Sequence, residues 1–448
     1  MKKTLLTMVA LMATGAAMAQ NGITEIPDTL GYGLQATTMS PNGKYVAGSL
    51  YATGGGYMYD RETQKMWIID LDDEDTDLQF KAIANNGLAV GWDGPASTFN
   101  FDTQEINQYG ETDEYLFQGI NPAGTIIVGA RYEDGSYDGI PCYFNNGTPV
   151  DLPQPSAKFL GYEASGATAL SVSDDSLISG YFIDDFSTYP ATLWALNKDG
   201  QTFSCYPFSR RYFAPTMEST MPYSMFSTSQ TTMSPNGKWL IVNFEQYVSD
   251  WDAVRGVARY NTENDSVDFF VADTEDERFA DGGEIYGFSV SDEGTIVGFY
   301  GAEYGPRVGF QWKKGEADIQ TLSSAYPGAT RLADYDDGGF NTPDYISADG
   351  RYIMGFAFAT PASSGAEESE DSDDDSSASA GTYISWILDT QDEAAQTSGV
   401  EEVKAGHSAK KVSVKARYAV DGTQRQGKFK GVNILRLSNG KAVKTIVK

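Results

Sequence analysis

Apolar and polar positions alternate along most of this chain in short runs, and polar turns with Gly or Asp at the tip cut the runs apart. Runs this short, with a period of two, predict β-strands rather than helices. One unit recurs seven times: a polar turn followed by an apolar strand that often ends in Gly. The copies are MSPNGKYVAG (39–48), ANNGLAVGW (84–92), INPAGTIIVG (120–129), VSDDSLISG (172–180), MSPNGKWLIV (233–242), VSDEGTIVG (290–298) and ISADGRYIMG (346–355). Similar spacing of one hairpin along a whole chain is the mark of a repeat architecture, in which each unit buries its apolar face against the next.

Each hairpin continues in the same way. The first repeat runs strand QATTMS, turn PNGK, strand YVAGSLY, loop, strand GYMYD, turn, strand MWIIDL. The sixth runs GFSVS, DEGT, IVGFY, loop, VGFQW, KKGE, DIQTL. Four short strands per repeat, with Gly and Asn where tight hairpins need positive φ, predict the blades of a β-propeller. The third strands align as YMYD (57–60), TFNF (98–101), PCYF (141–144), ATLW (191–194), VARY (257–260), GFQW (309–312) and YISW (383–386). The aromatic at or near the end of each is expected in a blade core; the alternative is a sugar-binding platform. Repeat seven supplies only PDYIS, RYIMGFA and TYISWIL, so its fourth strand is missing. Near the start, ITEIPDTL (23–30) resembles the other fourth strands, and residues 23–28 are expected to complete blade seven and close the ring. Closure matters because an open ring leaves unpaired strand edges. The predicted fold is therefore all-β: a seven-bladed propeller of four-stranded blades over 20–390, plus a small C-terminal β unit.

The insertions fall on one side. Turns after first and third strands share one face of a propeller, and here the turns after first strands are three or four residues long. Connections after second and fourth strands share the other face and carry the length: 72–77, 132–139, 206–227, 245–255, 273–284, 332–340 and 361–381. Long loops on a rigid scaffold are where binding usually sits. The run 361–381 is rich in Asp and Glu without Lys or Arg, a composition that predicts a disordered, solvated loop.

Charge and the termini change the picture. The chain carries a net −30, but residues 401–448 hold twelve Lys or Arg against three acids, leaving −39 on the first 400 residues. Such a body repels nucleic acid and anionic membranes. Lys2 and Lys3, the apolar stretch Leu5 to Met12 and Ala17-Met18-Ala19 read as a secretory signal over 1–19, cut between Ala19 and Gln20. That stretch is too short for a permanent anchor, and no later apolar run reaches membrane-spanning length, which predicts an exported, soluble mature chain without a transmembrane segment. Cys142 and Cys205 are the two cysteines. Export permits a bond between them; the alternative is two separate core thiols.

After a linker over 391–411, residues 412–448 form a basic segment with alternating apolar positions and an NGK turn at 439–441. It resembles the C-terminal tails of secreted Bacteroidota proteins, including type IX sorting domains, through Asp421-Gly422, Lys430 to Ile434, Ser438 to Lys441 and the terminal Val447-Lys448. The resemblance implies a secretion-machinery partner and cell-surface or extracellular display; without a working signal the location would be periplasmic. The repeats resemble the bacterial extracellular family named after a His-Ala-Phe signature, with VSDEGTIVGFY and RVGFQWKKGEADIQTL as the best copy. That resemblance implies a propeller-like fold and export, with no established chemistry, and this chain has no His at the signature.

Candidate chemistry is sparse. His407 is the one histidine and lies in the linker, which argues against a His-assisted nucleophile and a His-based metal site. No phosphate-loop or dinucleotide pattern stands between a strand and a helix. No catalytic residue and no cofactor is assigned. Carboxylate-pair glycoside hydrolysis or lysis stays open as an alternative, since 62 acids offer many pairs. Calcium is the metal the acids could suit, at Asp334, Asp336 and Asp337 before Gly338-Gly339, or in 72–77; neither has the full calcium-loop spacing. Within 206–227, Arg210 and Arg211 sit among Tyr212, Phe213 and Tyr223. A basic, aromatic island on an acidic face is a candidate contact for an anionic glycan or a protein partner; the alternative is a lid whose arginines pair with nearby acids. The sequence favours a non-catalytic binding protein using the long-loop face, with an unknown glycan or protein as ligand.

Overall fold

The computed structural model describes residues 19–20, 22–69, 78–92, 94–133, 139–145, 147–154, 166–183, 191–198, 203–207, 232–247, 253–264, 266–272, 276, 278–279, 283–301, 306–337, 339–359, 382–396, 414–418, 431–437 and 442–447. The seven repeats form seven antiparallel sheets arranged as a ring, a seven-bladed β-propeller. Blade one is Leu34–Met39, Tyr45–Leu50, Gly56–Asp60 and Lys65–Ile69. Blade six is Glu284–Val290, Ile296–Gly301, Arg307–Trp312 and a short outer strand, Gln320–Thr321. First strands of neighbouring blades lie side by side, so they form the inner wall of the ring.

The third-strand aromatics are core. Tyr59, Phe101, Phe144, Trp194, Tyr260, Trp312 and Trp386 are all buried. Each blade's apolar face packs on the next: one cluster joins Trp239, Ile241 and Val257 of blade five to Ile285, Ile296 and Phe310 of blade six. Burying aromatics of this size contributes the largest single share of each interface.

The repeated turn does two jobs. Within blade one, Ser40 Oγ donates to Asn42 Oδ1, which in turn accepts from the Lys44 amide, and the Tyr45 amide donates to Ser40 Oγ. Between blades, the turns tie to one another. The Asn42 amide donates to Asn85 Oδ1 at 2.8 Å, the Asn85 amide to the Pro122 carbonyl at 2.9 Å and the Ala123 amide to Asp174 Oδ1 at 3.0 Å. Further round, the Asn236 amide donates to Asp292 Oδ1, the Asp292 amide to the Ala348 carbonyl and the Ala348 amide to the Pro41 carbonyl. These polar tips are therefore spent on holding the ring.

The repeated glycine has a steric cause. The ladder between first and second strands shifts register once in six blades, between Ala36 and Thr38, Phe80 and Ala82, Phe117 and Gly119, Ala169 and Ser171, Gly287 and Ser289, and Pro343 and Tyr345. Each shift is a β-bulge, which leaves one residue unpaired and re-aims it. The second-strand glycine lies under that bulge: a Cβ on Gly129 or Gly298 would stand 1.8 Å from the Leu116 or Tyr286 carbonyl oxygen. Only a residue without Cβ lets the bulged strand come this close.

The ring closes as the missing-strand argument requires. Ile23–Glu25 pairs with the third strand of blade seven, Thr382–Asp389, in the register Ile23 to Leu388, Thr24 to Ile387 and Glu25 to Trp386. Ile23 and Ile26 are buried, and the Ile26 amide donates to the Ser385 carbonyl. Glu25 latches the seam: its Oε1 accepts from Arg331 Nε at 2.9 Å, Arg331 Nη2 at 2.7 Å and Tyr335 OH at 2.8 Å. Ala19–Gln20 adds a fifth strand outside it.

Two segments differ from the strand-and-loop reading. The connection from blade six to blade seven contains two short helices, Leu322–Ala325 and Arg331–Asp337. Leu322, Leu332 and Tyr335 are buried, and Thr321 caps the first helix by accepting from the Ser324 amide. This helical cap takes the place of most of a long outer strand in blade six. After blade seven, Glu393–Gln396 forms a helical turn whose Ala395 is buried against Gly22. The tail strands Val414–Tyr418, Gly431–Leu437 and Ala442–Val447 form a separate three-stranded sheet, paired only with one another.

Candidate functional site

The inner wall encloses a cavity of about 820 Å³ to which all seven blades contribute. Its volume falls within the range of small-ligand sites. The bulges decide what it presents. The unpaired residue of each bulge is Thr37, Lys81, Gln118, Leu170, Phe288 or Asp344, and all six line the cavity. Thr231 occupies the same column of the blade-five repeat and lies outside the described residues. A device repeated for geometric reasons thus delivers one freely variable side chain to the axis from each of these six blades. Around them stand Gln35, Ser49, Gln79, Ser171, Thr232 and Thr342 beside apolar residues such as Leu78, Phe80, Ile120 and Met233, so the wall mixes uncharged polar and apolar groups.

Among the described lining residues, Lys81 and Arg307 are the cations and Asp344 is the carboxylate. In a body at −39, that balance reverses the surrounding charge. Lys81 Nζ donates to Gln79 Oε1 at 3.1 Å and stands 4.4 Å over the Trp92 ring. Burial pulls its ammonium below the usual lysine range. Burial pushes the Asp344 carboxyl well above the usual carboxylate range, and the charge of Arg307 pulls the other way. Arg307 is held between two rings, 4.6 Å from the centroids of both Phe299 and Phe340.

The two ends of the channel differ. Pro41, Pro122 and Pro235 mark the end bearing the short turns, whose polar groups are already bonded to neighbouring blades. At the long-loop end stands an aromatic group. Tyr51 and Tyr383 are 4.7 Å apart, Phe358 lies 5.3 Å from Tyr383, and Phe340 and Phe356 complete the set. Tyr51 is 66% exposed and Phe358 41% exposed, unlike the blade-core aromatics.

The residues singled out in the sequence fall elsewhere. Arg210, Arg211, Tyr212, Phe213 and Tyr223 lie outside the described residues. Asp334, Asp336 and Asp337 lie on or at the end of one helix and are not brought together. Asp334 pairs with Arg331 at 3.0 Å, while Asp336 accepts from Ser323 Oγ and Asn341 Nδ2, both at 2.8 Å. Among the described residues no three acidic, His or Cys side chains form a metal-sized cluster. Ala19 and Gln20 sit in the added edge strand, opposite Thr24 and Ile23. Cys142 is a buried free thiol, pushed up to about 12 by burial. The sequence reading missed Lys81, Arg307, Asp344, Tyr51 and Tyr383. One signal was available: the bulge column varies from Thr to Lys, Leu, Phe and Asp while the position two residues later stays apolar.

No family model matches the sequence, and no curated protein matches it. Among solved structures, it is similar to virginiamycin B lyase from Staphylococcus aureus at 12% identity and a TM-score of 0.45, covering 86% of this chain and 99% of that one. The β-propeller domain of Cps50 (Swd1) from Myceliophteria thermophila gives 9% identity, a TM-score of 0.43 and coverage of 79% and 96%. A putative TolB from Agrobacterium tumefaciens gives 15% identity, a TM-score of 0.35 and coverage of 53% and 80%.

Proposed function

We propose that this chain is an exported, non-catalytic binding protein that takes a ligand into the central channel from the long-loop end. The observation that carries the reading is the division of labour between the two ends. Polar groups of the short turns are bonded from blade to blade, whereas the other end offers exposed rings at the mouth of a cavity lined by Gln35, Gln118 and Arg307. Recognition needs concavity and accessible side chains, and this end has both. Carboxylate-based glycoside hydrolysis or lysis uses two acids within about 5–10 Å of each other. The described channel wall brings one, Asp344. The basic sheet at the C-terminus and the apolar, small-residue N-terminal leader support export with surface display; no helix among the described residues is long and apolar enough to cross a membrane.

A single substitution tests the placement. Gln118 is a half-buried channel residue on a bulge, so Gln118→Trp fills the axis without disturbing a blade core. In a screen of soluble glycans, peptides and metabolites, ligands of the native protein are expected to lose at least tenfold in affinity with this variant, about 1.4 kcal/mol. Its melting midpoint is expected to stay unchanged. Unaltered binding to a folded Gln118→Trp protein, or turnover of a bound ligand by the native one, overturns the reading.

A further inference from the structure

We infer that the channel mouth is a site for an acidic oligosaccharide, with Arg307 as the residue that selects the anionic group and Tyr51, Tyr383 and Phe358 as the stacking surface. The inference rests on the channel reading above and names its ligand class. Two features point to it together. The first is charge left over. Arg131, Arg259, Arg278, Arg331 and Arg351 each pair with a carboxylate at 3.0 Å or closer. Arg307, like Arg61, makes no ion pair among the described residues; the carboxyl its charge acts on is the buried Asp344, whose ionised form burial disfavours. Its guanidinium is fixed between Phe299 and Phe340 instead, and its amide is bonded to the Gly339 carbonyl at 3.1 Å. A planar cation held by rings and backbone keeps its N–H fork available for a carboxylate or sulfate. Lys81, deeper in the same cavity, is likewise served by an amide oxygen and a ring rather than by an acid.

The second feature is the exposed aromatic group beside that cation. Tyr51, Tyr383 and Phe358 form a contiguous set, with Tyr51 two-thirds exposed at the end of the second strand of blade one. Large rings exposed at the mouth of a cavity of mixed polar and apolar lining suit a ligand with apolar C–H faces and polar edges, which a sugar ring has. Gln35 and Gln118 then offer amide donors and acceptors of the kind hydroxyl groups need, and Thr37 Oγ1, which donates to the Phe80 carbonyl, can still accept. A metabolite with an anion and no ring faces would leave the aromatics idle, and a neutral sugar would leave Arg307 idle.

Calorimetry on the full mature chain tests this with four probes of matched length. They are oligogalacturonate, a sulfated heparin-type oligosaccharide, a neutral gluco-oligosaccharide and oligoglutamate. The expected result is binding of one or both acidic sugars, with the neutral sugar at least tenfold weaker; the first two arms show whether carboxylate or sulfate is preferred. Arg307→Met keeps the hydrocarbon between the rings and is expected to abolish that discrimination, while Arg307→Lys restores part of it. Tyr51→Ala, at an exposed position, is expected to weaken acidic and neutral sugars alike by about fivefold, as loss of one aromatic contact does. Equal affinity for acidic and neutral sugars, or an unaffected Arg307→Met variant, overturns the assignment. So does tight binding of oligoglutamate without either sugar; if Gln118→Trp then blocks the peptide, the channel reading survives and only the ligand class fails. Absence of binding by all four probes overturns the ligand class as well.

Discussion

A chain lacking residues 20–30 loses most of its cooperative stability. The closing strand contributes Ile23 at 1% exposure and Ile26 at 3%, each worth about 2–3 kcal/mol of apolar burial. Its removal also strips the ladder from Thr382–Asp389, leaving a free edge where the ring was sealed. It takes Glu25 from Arg331, which keeps Asp334, and from the buried Tyr335 hydroxyl, which adds about 1–3 kcal/mol for the hydroxyl left without that partner. The sum is of the order of the whole stability of a typical domain, about 5–15 kcal/mol. Thermal unfolding and limited proteolysis of the truncated chain measure it directly. Glu25→Ala isolates the latch and is expected to lower stability by a smaller, cooperative step. An unchanged melting midpoint in the truncated chain would mean that the ring is not sealed by this strand.

Replacing Arg259 with Ala has the next largest expected effect. This arginine is 1% exposed, at the seam between blades five and six. Its Nη1 donates to the Gly294 carbonyl at 2.6 Å and the Trp312 carbonyl at 3.2 Å, Nη2 pairs with Asp268 at 3.0 Å, and the guanidinium lies 4.3 Å from the Trp312 ring centroid. Burial pulls the group below the usual arginine range and Asp268 opposes that. Truncation therefore orphans two buried carbonyls, unpairs one acid and opens a cavity beside Trp312. Asp268 is exposed and stays solvated, so the cost comes from the carbonyls left without a donor, about 1–3 kcal/mol each, and from the cavity. Denaturant unfolding is expected to show that loss for Arg259→Ala. Arg259→Met, which refills the volume, should recover part of it. A shift below about 1 kcal/mol for Arg259→Ala would show that the seam does not depend on this side chain.

How much of this was legible in the sequence depends on what sets each feature. The seven hairpins and the third-strand aromatics are local patterns of fixed period, so they can be read directly. Closure by residues 23–28 followed from counting strands, because an unpaired edge is costly wherever it lies. The helices Leu322–Ala325 and Arg331–Asp337 were harder: both are short, and LADYDDGGF has the composition of a loop. Its helical character comes from Leu332 and Tyr335 packing beside Trp386, a contact far apart in sequence. The channel residues were hidden for a different reason. A bulge flips the side on which a residue faces, so strict alternation assigns Lys81 and Asp344 wrongly relative to the core. The second-strand glycine was visible as a repeat, but its meaning, close approach to a bulged strand, is a fact of pairing rather than of local propensity. Arg259 and Ser385 behave similarly. Ser385 Oγ accepts from the Ala36 amide and Tyr57 OH and donates to the Leu34 carbonyl across the closure seam, and nothing in YISW marks it for that role.

The central claim is that the ring's long-loop end, and not its short-turn end, receives the ligand. Hydroxyl-radical footprinting of the full mature chain, with and without a bound acidic oligosaccharide or any other ligand the screen yields, reads this at the level of side chains. Protection is expected at Tyr51, Phe356, Phe358 and Tyr383, and at Tyr345 inside the channel. Protection confined to the short turns, at residues such as Pro41 and Pro122, with Tyr51 and Phe358 as reactive as before, would contradict it.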